Sequence, residues 1–170
     1  TDVVNTVVYE ELDNIILAGH SYGGMVITGV MNSIPKRIKH AVFLDAAVPN
    51  HGISAREHWG DKRDLHIKDG IVYFPWLRKN SKPPHDVPQS LATLTEPVSF
   101  NNDQAKKLPA TYVAFVSNPE TREIREKTDL SWANAKGRGW PIHVLESDHN
   151  AQRSHPIELA DLLEQIASTD

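Results

Sequence analysis

Apolar positions along the chain follow two patterns, which predict amphipathic helices and short buried strands. Over residues 2–12 and from Pro156 onward, apolar residues recur every three or four positions, which predicts helices with one apolar side. Two further helices are predicted at 25–33 and 120–135. Short continuous apolar runs are typical of strands buried on both faces. They lie at 15–18, 41–44, 110–116 and 141–145.

The order strand, helix, strand over the first 44 residues predicts a βαβ unit. Its helix ends near Ser33, because Pro35 cannot continue a helix, and a polar connection over 36–40 leads to the strand at 41–44. Units of this kind have parallel strands and right-handed crossovers. The sequence therefore predicts an α/β fold with a parallel sheet.

The middle of the chain differs in character from both flanks. Residues 49–108 are rich in proline and aromatic residues and have weak periodicity, which is unusual for a simple loop of that length. We expect an inserted lid or cap at 49–108 between two core parts, 1–48 and 109–170. Within it we predict short helices at 54–59 and 89–94 and a small strand at 71–74.

Composition narrows the classes of function. The chain has 170 residues, a formal net charge of −4 and no cysteine. An acidic balance without a basic face argues against a nucleic-acid partner. No apolar run reaches membrane-spanning length, so we expect no membrane partner. The compartment is not fixed by the sequence, and the cytoplasm is the expectation.

Gly19-His20-Ser21-Tyr22-Gly23 matches the pattern G-x-S-x-G in the context that this pattern requires. An apolar strand precedes it and a helix follows it, so a serine lies at the apex of a sharp turn. We expect strained backbone at Ser21, which would lift its Oγ clear of the sheet. We also expect a Cβ at Gly19 or Gly23 to collide with the neighbouring strand or helix. The motif predicts a nucleophilic Ser21.

A serine nucleophile needs a base, and the base needs an orienting acid. With this motif the order along the chain is Ser, acid, His. His149 follows the last predicted strand, and we assign it as general base and acid. The acid has two candidates: Asp45 at the end of the second strand, and Glu120 after the third. We favour Asp45, because a strand end fixes it, whereas Glu120 follows a proline in a polar turn.

Further site residues follow from their positions along the chain. The backbone N–H of Tyr22 is the expected oxyanion donor, because it follows the nucleophile. The aromatic residues Trp59, Phe74 and Trp76, with His20 beside Ser21, are the expected substrate pocket. We expect no metal and no cofactor.

The chain resembles the α/β-hydrolase superfamily, and especially small bacterial esterase-type hydrolases related to plant methylesterases and hydroxynitrile lyases. The matching segments are 19–26, 43–49, 88–93, 148–150 and 154–156. The resemblance implies a serine hydrolase that cleaves a small carboxylic ester through an acyl-enzyme. Alternatives are a non-catalytic ligand receptor on the same fold and a hydroxynitrile-lyase-like activity.

Two departures from the family pattern matter. Where plant relatives carry the triad acid, this chain has Pro119. Dehalogenase-like members can instead place the acid at a position similar to Asp45. This resemblance supports Asp45 as the acid. Those dehalogenases use an aspartate nucleophile, so Ser21 argues against dehalogenation.

The fold also usually begins with strands that precede residue 1 here. We therefore expect an N-terminal segment elsewhere, for instance as a separate chain, and a homodimer is another possible assembly.

Overall fold

A computed structural model describes residues 1–60, 64–77 and 85–168. The strands are β1 (Ile15–His20), β2 (Ile38–Leu44), β3 (His66–Lys68), β4 (Ile71–Tyr73), β5 (Gln89–Ser90), β6 (Ala110–Val116) and β7 (Ile142–Glu146). The helices are α1 (Asp2–Tyr9), α2 (Gly23–Ser33), α3 (Ala55–His58), α4 (Ala92–Thr95), α5 (Asp103–Lys106), α6 (Pro119–Thr128), α7 (Leu130–Gly137), α8 (Ala151–Ser154) and α9 (Pro156–Ser168), with a 3₁₀ turn at Pro35–Arg37.

The described residues form a four-stranded parallel sheet in the order β1-β2-β6-β7. This confirms the predicted α/β fold. Because the strands are parallel, the loops after β1, β2, β6 and β7 all lie at the carboxyl edge, where open α/β sheets place their sites. The strand that precedes Ser21, β1, lies at one end of this sheet. The expected N-terminal segment and the homodimer both stay predictions.

The central strands β2 and β6 are buried on both faces, and alternate residues of β2 pack on opposite sides of the sheet. Phe43 packs with Ile27 of α2 and Trp132 of α7 on one face. Val42 lies in the cluster of the other face, with Leu159 of α9. Burial on both faces explains the continuous apolar runs of β6 and of residues 41–44 in β2. The expectation of burial on both faces was wrong for β1, where burial alternates along the strand and Ile16 and Ala18 are exposed.

The segment 49–108 contains a second sheet in its described part, and it also contributes Phe100 and Ala105 to an apolar cluster of the parallel sheet. In its described part β3, β4 and β5 form an antiparallel sheet, and the helices α3 and α4 are each one turn long. Val72 and Leu94 pack with Met25 of α2 in a third apolar cluster. The division of the chain into core and cap stays a prediction, and two parts of the expected cap, 61–63 and 78–84, lie outside the described residues.

Several predicted elements differ from the structure. The helix predicted at 89–94 begins as strand β5 (Gln89–Ser90), and the helix itself is Ala92–Thr95. The strand β2 begins at Ile38 instead of residue 41, since Ile38–His40 continue its pairing with β1. The first helix ends at Tyr9. The helix predicted over 120–135 is two helices, because Asp129 is extended and its side chain accepts hydrogen bonds from the amides of Ser131 and Trp132, which starts α7.

The glycines of the turn have different roles from those predicted. A Cβ at Gly19 would lie 2.8 Å from the carbonyl oxygen of Gly23, as expected. A Cβ at Gly23 would have no atom within 4 Å, so that prediction was wrong. The tight contact belongs to Gly24, whose Cβ would lie 2.0 Å from the carbonyl oxygen of Ala47. Gly24 thus lets α2 pack directly on the backbone that follows β2.

No helix among the described residues combines the length and apolar character needed to span a membrane.

We predict that Gly24→Ala destabilises the protein by about 1–3 kcal/mol, the usual cost of overpacking, because the Ala47 backbone must move. Gly23→Ala is the matched control and should remain within about 0.5 kcal/mol of the unchanged protein. Urea unfolding followed by circular dichroism measures both free energies. Equal stabilities of the two variants would contradict the proposed role of Gly24.

Candidate active site

Three side chains from the carboxyl edge of the sheet form a chain of hydrogen bonds. Ser21 follows β1, Asp45 follows β2 and His149 lies in the loop after β7. The Oγ of Ser21 lies 2.9 Å from Nε2 of His149, and Nδ1 of His149 lies 2.5 Å from Oδ2 of Asp45. The structure therefore brings together the serine, histidine and aspartate that the sequence analysis favoured.

The backbone of Ser21 is held in the left-handed region, at φ +56°. This conformation is uncommon for a residue with a side chain and costs on the order of 1–3 kcal/mol. Neighbouring segments hold it in place: the amide of Ser21 donates to Leu44 O at 3.2 Å, and the amide of Ala47 donates to Ser21 O at 3.0 Å. Ser21 therefore has the strained conformation that the motif predicts.

Asp45 has the same kind of backbone strain, which the sequence analysis did not predict. Its φ is +45°, and its amide donates to Val113 O of β6 at 2.7 Å. Its Oδ1 accepts a hydrogen bond from the amide of Phe115 at 3.3 Å. The carboxylate is therefore fixed to β6 through both the backbone and the side chain.

Electrostatics couple Asp45 to His149. Only 8% of the Asp45 side chain is exposed, whereas 49% of the His149 side chain is. Burial alone would raise the pKa of Asp45, but the hydrogen bond with His149 and the charge of Arg125 outweigh it and lower the pKa. The same hydrogen bond raises the pKa of His149, against the opposing effects of its partial burial and of Arg125.

The alternative acid, Glu120, lies in the first turn of α6 and is exposed. That helix begins with Asn118, whose Oδ1 accepts from the amide of Thr121 at 2.8 Å. No hydrogen bond between Glu120 and His149 is present in the described part of the chain. Asp45 occupies the position beside the imidazole.

A cavity of about 250 Å³ opens next to Ser21. Trp59, Phe74 and Trp76 line it, as expected of a pocket, together with Tyr22, Arg56, Gln89 and Leu94. The rings of Phe74 and Trp76 are stacked at 4.4 Å between centroids. Sequence reasoning did not name Arg56 or Gln89 as pocket residues, although Gln89 lies in the matching segment 88–93.

His20 does not line this cavity. Its Nε2 lies 2.7 Å from the carbonyl oxygen of His149, and the two imidazole rings are 4.6 Å apart between centroids. A side chain at the end of β1 points toward the β7 loop here because the two loops meet at one sheet edge. His20 therefore contacts the loop that carries His149 instead of the pocket.

The amide of Tyr22 stands at the N-terminal end of α2, next to Ser21. In the described residues this amide donates no backbone hydrogen bond outside the helix. The side chain of Tyr22 reaches α4, where its hydroxyl donates a hydrogen bond to Thr93 O at 2.7 Å. The Tyr22 amide therefore remains an available donor beside Ser21.

Two further polar residues shape the site. Oδ1 of Asp148 accepts from the amide of Asn150 at 2.7 Å and from the hydroxyl of Ser154 at 3.0 Å, so Asp148 orders the loop around His149. Arg125 of α6 bonds to Asp45. Sequence reasoning missed Arg125, since no local motif marks it.

Across the described ranges, no group of three or more His, Asp or Glu residues has an arrangement suited to a metal ion.

Comparison with known proteins finds esterases among those similar to this chain. Over 53 residues, 31% of its length, the chain is 58% identical to a carbendazim hydrolyzing esterase of Nocardioides sp. strain SG-4G, and the match covers 22% of that enzyme. It is 26% identical to methylesterase 17 of Arabidopsis thaliana, over 94% of this chain and 68% of that one. The chain therefore spans less than a quarter of the first relative's length.

The fold is also similar to that of an extracellular alpha/beta-hydrolase from a Paenibacillus species, with a TM-score of 0.66 and 21% identity over 96% of this chain and 76% of the other. A family model described as the alpha/beta hydrolase family matches residues 1–162. With a parallel sheet, a strained serine between β1 and α2 and a histidine after the last strand, the chain belongs to the alpha/beta hydrolase family.

Proposed function

We propose that the protein is a serine hydrolase that cleaves a small carboxylic ester through an acyl-enzyme, with Ser21, His149 and Asp45 as its catalytic residues. The observation that carries the proposal is the continuous hydrogen-bonded chain from Ser21 Oγ through both ring nitrogens of His149 to Asp45. A serine, a base and an orienting acid in this order are what acyl transfer requires. Similarity to a carbendazim hydrolyzing esterase and a methylesterase supports it.

The first half of the reaction forms the acyl-enzyme. Ser21 Oγ attacks the ester carbonyl carbon while His149 Nε2 takes the hydroxyl proton, and the carbonyl oxygen becomes an oxyanion. The Tyr22 amide donates a hydrogen bond to this oxyanion. The carbon–oxygen bond to the alcohol then breaks, and His149 gives its proton to the leaving alkoxide. Asp45 keeps the imidazole oriented and stabilises its positive charge.

The second half hydrolyses the acyl-enzyme. His149 takes a proton from a water molecule as the water oxygen attacks the acyl carbon. The bond to Ser21 Oγ breaks, and His149 returns the proton to Ser21. The products are a carboxylic acid and an alcohol, and the enzyme regains its first state without a cofactor.

The cavity beside Ser21 limits the substrate. About 250 Å³ lined by two tryptophans and a phenylalanine suits a small apolar or aromatic group on the acyl or the alcohol side. We propose small-molecule esters of this kind as substrates. Carbendazim is one compound to test beside simple aromatic methyl esters, because a relative is named for its hydrolysis.

We predict that a fluorophosphonate probe labels Ser21, because His149 lies within hydrogen-bond distance of its hydroxyl. Intact-mass spectrometry and peptide mapping measure the label. The control is Ser21→Ala, which should lose it. If the folded protein is not labelled, the chain is a ligand receptor instead of a hydrolase. Labelling with cyanohydrin cleavage but no ester cleavage would indicate a lyase.

The acid assignment is tested by Asp45→Asn and Glu120→Gln. We expect Asp45→Asn to lower kcat by about 10³–10⁴-fold, because the amide stabilises the wrong histidine tautomer and not the imidazolium. Glu120→Gln should stay within about twofold, since Glu120 is exposed and Asp45, not Glu120, bonds to His149. Ester hydrolysis under saturating substrate measures both. A large loss confined to Glu120→Gln would overturn the choice of Asp45.

The pH dependence follows from the raised pKa of His149. Only the neutral imidazole accepts the Ser21 proton, so kcat/KM should fall as the pH drops through the pKa of His149. Because the bond to Asp45 favours the protonated ring, that inflection should lie above 6.5, the ordinary value for histidine. An acid limb centred below 6.5 would contradict this coupling.

A further inference from the structure

We propose that Arg125 is a positioning residue, which holds the carboxylate of Asp45 so that Oδ2 faces His149. This inference rests on the proposed hydrolase function and adds a fourth side chain to its site. Arg125 does not reach the substrate cavity, and it acts only through Asp45.

Arg125 and the Phe115 amide together hold Oδ1 of the Asp45 carboxylate. Its Nη1 donates to Asp45 Oδ1 and also to the carbonyl oxygen of Phe115 at 2.7 Å. The Phe115 amide donates to the same Oδ1 at 3.3 Å. With Oδ1 held by two donors, rotation of the carboxylate is restricted, and Oδ2 is left for His149 Nδ1 at 2.5 Å.

Arg125 is itself held rigidly from the other side. Its Nε donates to Asp129 Oδ2 at 3.1 Å, and its Nη2 donates to the same oxygen and to the Tyr112 hydroxyl at 3.0 Å. Asp129 is fixed in turn, because its Oδ1 accepts from the Ser131 amide at 2.8 Å. The guanidinium therefore lies between two anchored carboxylates and has little freedom to swing away.

Burial makes this ion pair more effective than a surface salt bridge. The side chains of Arg125 and Asp45 are 21% and 8% exposed, so solvent screens their interaction weakly. Exposed pairs contribute little to stability, whereas charge-assisted hydrogen bonds in a fixed fork are stronger and directional. Burial raises the pKa of the Asp45 carboxyl, and the hydrogen bond with His149, followed by the charge of Arg125, lowers it.

The chain offers a matched control on the same helix. Arg122 lies three residues before Arg125 on α6 and pairs with Glu126 at 2.9 Å. This pair is exposed, with 53% and 40% of the two side chains accessible. Arg122→Met therefore removes the same charge and one ion pair from the same helix without touching Asp45.

The test compares Arg125→Met, Arg125→Lys and Arg122→Met in the full protein, with kcat expressed per active site titrated by a fluorophosphonate. We expect Arg125→Met to lose on the order of 10²-fold in kcat with little change in KM, the effect of a misplaced catalytic group. Arg125→Lys should recover part of it, because one ammonium still reaches Asp45. Arg122→Met should stay within about twofold.

A double variant separates positioning from a merely structural role. If Arg125 acts through Asp45, then Arg125→Met should cost less than about threefold in an Asp45→Asn background, since coupled residues are non-additive. Equal costs in the two backgrounds, or unchanged kcat in Arg125→Met, would overturn the proposal. If Arg125→Met does not fold, an Arg125→Lys variant with unchanged kcat and pH profile would overturn it. Failure of the unchanged protein to label at Ser21 is a separate result, which rejects the hydrolase function itself.

Discussion

The carboxylate of Asp45 is the group on which the site geometry depends. One oxygen accepts from the Phe115 amide and from Arg125, and the other faces His149 at 2.5 Å. A buried carboxylate is stable only when such partners compensate for the loss of water. The partners that stabilise the charge are therefore also the partners that fix its direction. His149 in turn can reach Ser21 at 2.9 Å because its other nitrogen is held.

Strained backbone at two places makes this arrangement possible. Ser21 and Asp45 both have positive φ, and both follow parallel strands that end at the same edge. The segment after β2 supports the serine directly, because the Ala47 amide donates to Ser21 O. The same residue packs against Gly24 with no space for a Cβ. The loop that carries the acid and the turn that carries the nucleophile are thus one packed unit.

The helix α6 has a second role that its sequence does not reveal. Its surface pairs, such as Arg122 with Glu126, are ordinary exposed contacts. Three residues later on the same helix, the side chain of Arg125 bonds to Asp45. Asp129 caps the C-terminal end of α6, and its carboxylate accepts a hydrogen bond that orients Arg125. Periodicity did not predict the break between α6 and α7. This break places the carboxylate of Asp129 where it bonds to Arg125.

By itself the sequence determined the α/β fold class, the strand–turn–helix around Ser21 and the order of serine, acid and histidine, because apolar runs and a glycine-rich turn are local signals. It favoured Asp45 over Glu120 as the acid and expected tight contacts at both Gly19 and Gly23, of which only Gly19 has one. It also gave His20 a pocket position. Only the tertiary structure decided which carboxylate lies beside His149, that Gly24 meets Ala47, and that Arg125 holds Asp45. These contacts join residues far apart in the chain, and their geometry is set by strand register and helix packing, which no local pattern records.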